Sequence, residues 1–224
     1  GERAGGCVIE ATRAGVGVHL VPVGHLTSGA VAARADPRLA SRVASRTLRG
    51  GSAQGVGNVT SADEFNVWAD PEAANEAFRS GGPLTMLGLN LTHQVRMGQV
   101  HADECRALDT PVAEAMAGLL EFYAVFHLAA EEVADGPVHD PCAVLAVPPP
   151  DLFPMEDRPV HVKLSGTHPR GITLVDELGP QAHTPANCRV AYSVPPPPVP
   201  DLLLQPVRQA CLARPKCQHL HGRT

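Results

Sequence analysis

The sequence predicts an α/β fold: a mostly parallel central sheet flanked by helices, with a small antiparallel portion toward the C-terminus. Two runs that are apolar almost throughout, 16–23 and 84–91, read as strands covered on both faces. Helical patterns occupy 26–35, 72–79 and 111–133. Strands separated by helices indicate parallel pairing, because a parallel crossover needs about a helix's length of chain.

Taken in order, a helix at 8–14 precedes the first strand, which is rich in valine and ends at Gly24. Aspartate–proline pairs at Asp36-Pro37, Asp70-Pro71 and Asp140-Pro141 each precede an alanine-rich or apolar stretch. Aspartate as N-cap with proline at the first helical position is a helix-start signal. Thr110-Pro111 opens the longest helix similarly and places Val112, Met116, Leu119, Leu120, Tyr123 and Phe126 on one stripe expected to face the core. His127, near its end, reads as a partly buried histidine rather than a ligand contact. Alternation at 160–164 and 189–194 predicts strands of an antiparallel edge or a small subsidiary sheet. The proline runs 148–150 and 195–198 cannot donate ladder hydrogen bonds and are expected to be extended or loop. A last helix is expected at 202–212, broken or kinked by Pro206, and disorder over 214–224.

At 224 residues the chain is long enough for one sizeable core, so residues 1–213 are expected to form a single domain. The net charge of -5, without a basic stripe, disfavours a nucleic acid polymer as partner. No apolar run reaches the roughly 18 residues of a membrane span, and no secretory leader pattern is present. A cytoplasmic setting is the expectation. The six cysteines include no CxxC pair and are expected to be reduced. The grouping of Cys211, Cys217, His219 and His221 matches no standard zinc frame.

The most informative segment is Gly57-Asn58-Val59-Thr60-Ser61-Ala62-Asp63-Glu64-Phe65-Asn66, which leads through Val67-Trp68-Ala69 to Asp70-Pro71-Glu72-Ala73-Ala74. It places a carboxylate and two carboxamides between a glycine turn and a helix start. Such groups suit a polyol, whose hydroxyls both donate and accept. Gly57 is expected to supply a positive φ. This segment resembles the GNxTxxAEFNxxxDPEAA motif of the inosine/uridine-preferring nucleoside hydrolases. Further motifs follow in that family's order. Val21-Pro22-Val23-Gly24-His25-Leu26-Thr27 is like VAxGPLTN, Leu48-Arg49-Gly50-Gly51 is like LMGG, and Gly88-Leu89-Asn90-Leu91-Thr92-His93-Gln94 is like GLDVTHQ. Val138-His139-Asp140-Pro141-Cys142-Ala143-Val144 is like LHDPxAV. The resemblance covers nearly the whole chain. The family's opening DTDxGxDD cluster has no counterpart here, so a domain lacking its N-terminal third and first strand is expected.

The resemblance implies hydrolysis of the N-glycosidic bond of ribonucleosides to ribose and free base, impaired in this length of chain. A catalytically silent ribose- or nucleoside-binding remnant is the alternative. Asn58, Glu64 and Asn66 correspond to the residues that grip the ribose, and His139 to the histidine that assists the departing base. Asp140 and the backbone carbonyl of Val23 correspond to ligands of a calcium ion. A small-molecule ribonucleoside is the implied partner, and assembly as a homo-oligomer is a family habit. Three positions depart from the pattern: His25 stands in place of proline, Asn90 in place of aspartate, and Arg49 in place of methionine. A cation facing a ribosyl cation is unfavourable unless the arginine turns to solvent or pairs with Glu64.

Overall fold

Where valine- and leucine-rich segments alternate with alanine-rich ones, the computed structural model forms strands and helices in turn. It describes residues 2–15, 17–131, 135–147, 152–178, 181, 184–194 and 199–213. In chain order the elements begin with α1 (Glu2–Ala14), β1 (His19–Leu20), α2 (Thr27–Ala35), α3 (Leu39–Arg42), β2 (Ser45–Arg49), α4 (Phe65–Ala69) and α5 (Pro71–Arg79). Next come β3 (Leu84–Leu87), α6 (Leu89–Thr92), β4 (Arg96–Gly98), α7 (Gln99–Arg106), α8 (Pro111–Glu131) and β5 (Asp135–Pro137). The last are α9 (His139–Leu145), β6 (Met155–Arg158), β7 (Val160–Val162), β8 (Thr173–Val175), β9 (Cys188–Ala191) and α10 (Val199–Ala213). They fall into two compact units, one of Gly1–Val95 with Val138–Pro195, the other of Arg96–Pro137 with Pro196–Thr224.

The first unit is built on a five-stranded sheet in the order β1-β2-β3-β9-β6. The first four strands are parallel, and β6 pairs antiparallel with β9. Leu48, Met86 and Val190 are fully buried in the sheet and pack with Val67, Ala74 and Phe78. The expected α/β fold with a mostly parallel sheet is therefore present, and an antiparallel pair of β7 and β8 supplies a small subsidiary sheet. The strand expected at 16–23 shrinks to two residues, because Pro22 offers no N–H to a ladder and its carbonyl instead accepts from the Arg49 amide. The run 84–91 stops as a strand at Leu87, since Gly88 leads directly into α6.

Other expectations fare differently. The segment near 189–194 lies not on an edge but inside the main sheet, parallel to β3, which explains its nearly continuous burial. Strand β2 escapes a hydropathy reading because only Thr47 and Leu48 of its Ser-Arg-Thr-Leu-Arg run are buried. Asp70 caps α5 as expected, accepting from the Ala73 amide at 3.0 Å. Asp36 and Asp140 do not act as N-caps. Asp36 ends α2 and binds Arg42 and Arg13, which hold its carboxyl well below the usual carboxylate range. Asp140 lies inside the first turn of α9, two residues past the N-cap position, which Val138 holds.

In the second unit β4 and β5 form an antiparallel pair beside α7 and α8. The buried face of α8 carries Ala113, Ala117, Leu120 and His127. Val112 and Leu119 of the expected stripe are exposed, together with Phe122 and Val125, and the side chain of Phe126 lies outside the described residues. Small alanines let the neighbouring elements approach that face closely, a fit that hydropathy alone does not register. His127 is a core histidine packed edge-on against Tyr123, with ring centroids 4.6 Å apart. Helix α10 runs through Pro206 without a break, so the proline costs it one backbone hydrogen bond rather than its continuity. The proline runs 148–150 and 195–198 and the segment 214–224, with Cys217, His219 and His221, lie outside the described residues. Among the described residues no helix is long and apolar enough to cross a membrane.

Candidate functional site

The site belongs to the first unit and lies where the parallel strands β1 and β2 end. Arg49 is the last residue of β2, and Val23 follows β1 by three positions. Between β2 and α4 the chain turns back on itself. Thr60 makes this turn by accepting the Asp63 amide at 3.0 Å and donating its hydroxyl to the Asp63 carboxylate at 2.7 Å. The Asn58 amide closes the loop on the Asp63 carbonyl at 3.0 Å. Gly57 serves this closure by close approach and not by the positive φ expected of it. A Cβ there would lie 2.1 Å from the Thr60 carbonyl oxygen. Asn58 is exposed, and its side-chain carbonyl accepts from the Phe65 amide at 2.9 Å.

Glu64 is the N-cap of α4 and is buried. Its Oε2 accepts from the amides of Gly51 at 3.0 Å, Asn66 at 3.0 Å and Val67 at 3.2 Å. Gly51 reaches it through a left-handed turn, φ 73°, that a residue with a side chain rarely adopts. Oε1 accepts from Nη1 of Arg49 at 2.6 Å. Asn66, also buried, donates its Nδ2 to the carbonyls of Val23 at 3.1 Å and Arg49 at 3.2 Å. One side chain thus fastens the end of β2 to the turn after β1.

Helix α9 brings the other candidates. Asp140 is half exposed, and its Oδ1 stands 3.3 Å from Nε of Arg49. His139 Nδ1 lies 2.7 Å from the hydroxyl of buried Thr92, and its ring is 5.5 Å from that of His93. Cys142, one turn along, is buried, and this burial pushes its thiol up to about 12, so it is inert near neutral pH. Arg49 therefore ties Glu64 to Asp140, and Asn66 ties Val23 to the same strand end. Asn58 braces the loop through its side-chain oxygen.

Two positions carry roles that the sequence did not disclose. Thr92 orients His139, although a threonine in a Thr-His-Gln run carries no signal of its own. Asn90 is buried, accepts from the Ala53 amide at 3.1 Å and donates to the Ala191 carbonyl at 3.0 Å. An ionised aspartate could accept but not donate, so the asparagine suits this place.

Calcium takes about 6–8 oxygen ligands. The Asp140 carboxylate here faces a guanidinium, and the Val23 carbonyl already accepts from Asn66. Among the described residues no three or more His, Cys, Asp or Glu side chains gather as a metal site. As held here, these residues do not fit a calcium ion.

A carboxylate and carboxamides thus stand at the carboxyl ends of the parallel strands of an α/β protein, the place where open sheets usually form a crevice. By the match of its residues 2–199 to the family profile, the chain belongs to the inosine-uridine preferring nucleoside hydrolase family. It is 38% identical over 178 residues to the pyrimidine-specific ribonucleoside hydrolase RihA of Shewanella woodyi, covering 79% of this chain and 56% of that protein. Identity to the RihA of Enterobacter sp. is 39% over 160 residues, 71% of this chain and 51% of the relative. The chain thus spans a little over half the length of these relatives. Among solved structures, a plant nucleoside hydrolase superposes with a TM-score of 0.83 at 28% identity, over 94% of this chain and 67% of its own. The purine-preferring ribonucleoside hydrolase of Gardnerella vaginalis does so with a TM-score of 0.82 at 28% identity, over 93% and 65%.

Proposed function

We propose that this chain carries the ribose-facing part of a ribonucleoside hydrolase, which cleaves the N-glycosidic bond with water to give ribose and free base, in a cytoplasmic setting. The observation that supports this most is the buried Glu64, fixed by three backbone amides and placed with Asn66 at the ends of the parallel strands. A carboxylate held so firmly loses little entropy on binding a hydroxyl, and only its Oε1 must exchange a partner, trading Arg49 for the sugar. Asn58 and Asn66 complete the grip. Cleavage develops positive charge on the ribosyl ring and sheds a base that needs a proton or its equivalent. Glu64 supplies negative charge beside that ring. His139, oriented by Thr92, assists the departing base. No step is assigned to Val23 or Asp140 through a metal ion.

A second reading, binding without turnover, is favoured by one observation: Arg49 already occupies Oε1 of Glu64 and adds positive charge where the transition state would add more. The full chain should bind inosine or uridine at least about tenfold more tightly than the 2′-deoxy analogues, as the loss of one hydrogen bond to a charged group requires. Calorimetry measures this, and failure to bind either nucleoside would overturn the proposal. Ribose release, followed as reducing sugar, separates the two readings. Release by the 224-residue chain supports hydrolysis, and tight binding without release supports the second reading.

A further inference from the structure

Arg49 is the least expected residue of the site and among the most constrained. Only 12% of its side chain is exposed, against 0% for Glu64 and 55% for Asp140. Nη1 hydrogen-bonds Glu64 at 2.6 Å, while Nε, buried and with no hydrogen bond, stands 3.3 Å from Asp140 in a contact governed by charge rather than alignment. Two carboxylates facing one guanidinium retain a single net negative charge. Without Arg49 they would carry two, the complement of a divalent cation.

We propose that Arg49 is the resident cation of this site, joining Glu64 to Asp140 and keeping divalent cations out. A guanidinium in contact with both carboxylates satisfies them, and its fixed charge repels any second cation brought within a few ångströms. It also needs no free metal ion in solution. The bland alternative is a salt bridge that only braces the loop against α9. The two differ in a measurable way, since a brace leaves cation affinity alone whereas a resident cation suppresses it. The inference concerns the ligand-free protein and stands or falls independently of nucleoside hydrolysis.

The test is a calcium chloride titration of the full chain by calorimetry, paired with thermal melting in calcium and in sodium chloride of equal ionic strength. The wild type should give no saturable heat and no rise in melting temperature specific to calcium. Arg49→Met should gain both, with a Kd on the order of 10⁻⁴–10⁻³ M, typical of a weak oxygen site. Since Arg49→Met leaves buried Glu64 without its partner, Arg49→Gln is measured beside it, as glutamine still donates a hydrogen bond without the charge. Asp140→Asn added to Arg49→Gln should abolish the gain. If both variants unfold in the absence of calcium, recovery of a cooperative transition on adding calcium supports the proposal, and no recovery refutes it. Saturable calcium binding by the wild type, or a folded variant indifferent to calcium, would overturn it.

Discussion

The loop from Asn58 to Asn66 and the first turn of α9 both face Arg49, yet they hold their polar groups in opposite ways. Glu64 is fully buried and accepts from three backbone amides besides the arginine, whereas Asp140 is 55% exposed and meets the arginine at 3.3 Å without a hydrogen bond. Burial makes the difference in kind. A saturated, desolvated carboxylate is part of the framework and cannot move without exposing several donors, whereas a half-solvated one can exchange partners at little cost. One face of the site is thus fixed and the other adjustable.

The strongest attempt to break this contrast is Glu64→Ala, which should cost about 3–5 kcal/mol by leaving Arg49 and three amides without their acceptor. Urea unfolding measures it, and a loss below about 1 kcal/mol would show the loop to be far less rigid than its contacts imply. Asn66→Ala comes next, at about 1–3 kcal/mol, because the Val23 and Arg49 carbonyls would both lose a donor. Thr92→Val should lower stability by about 1 kcal/mol, and it should alter the chemical shifts of the His139 ring more than those of His127, which packs against Tyr123. Equal changes at the two rings would refute the assigned contact. The smallest effect belongs to Asp140→Asn, at most about 0.5–1 kcal/mol, as befits an exposed charge. A loss approaching that of Glu64→Ala would erase the distinction.

Much of the architecture was legible because apolar runs and capping signals are local. The run beginning at Leu84, the Asp70-Pro71 start of α5 and the long helix from Pro111 all read directly from their residues. What escaped depends on partners distant in sequence. Strand β2, polar at Ser45 and Arg46, is a strand because β1 and β3 flank it. The exposed and buried faces of α8 are set by which neighbours admit alanine. In the site, the loop motif drew attention to Glu64 and Asn66, and pairing with Glu64 was one of three outcomes open to Arg49, beside facing the sugar and turning to solvent. The hidden parts were the amides on Glu64 Oε2, the Asn66 bonds to two carbonyls and the Thr92 contact to His139. Each joins an element to another across the fold, where spacing in the sequence carries no information.

The placement of β9 beside β3 also bears on how the chain is made. Asn90 donates to the carbonyl of Ala191, 101 positions later, and Gln94 to that of Tyr192, 98 positions later. At ribosomal speeds about 5–20 s elapse between the emergence of these partners. Through that interval the open edge of β3, carrying buried Met86 and Leu87, has no strand to pair with and is available to any other extended chain. Most of the candidate site is synthesised before its sheet can close, so the nascent protein's exposure to chaperones and to aggregation is set by the arrival of four late residues, Cys188 to Ala191.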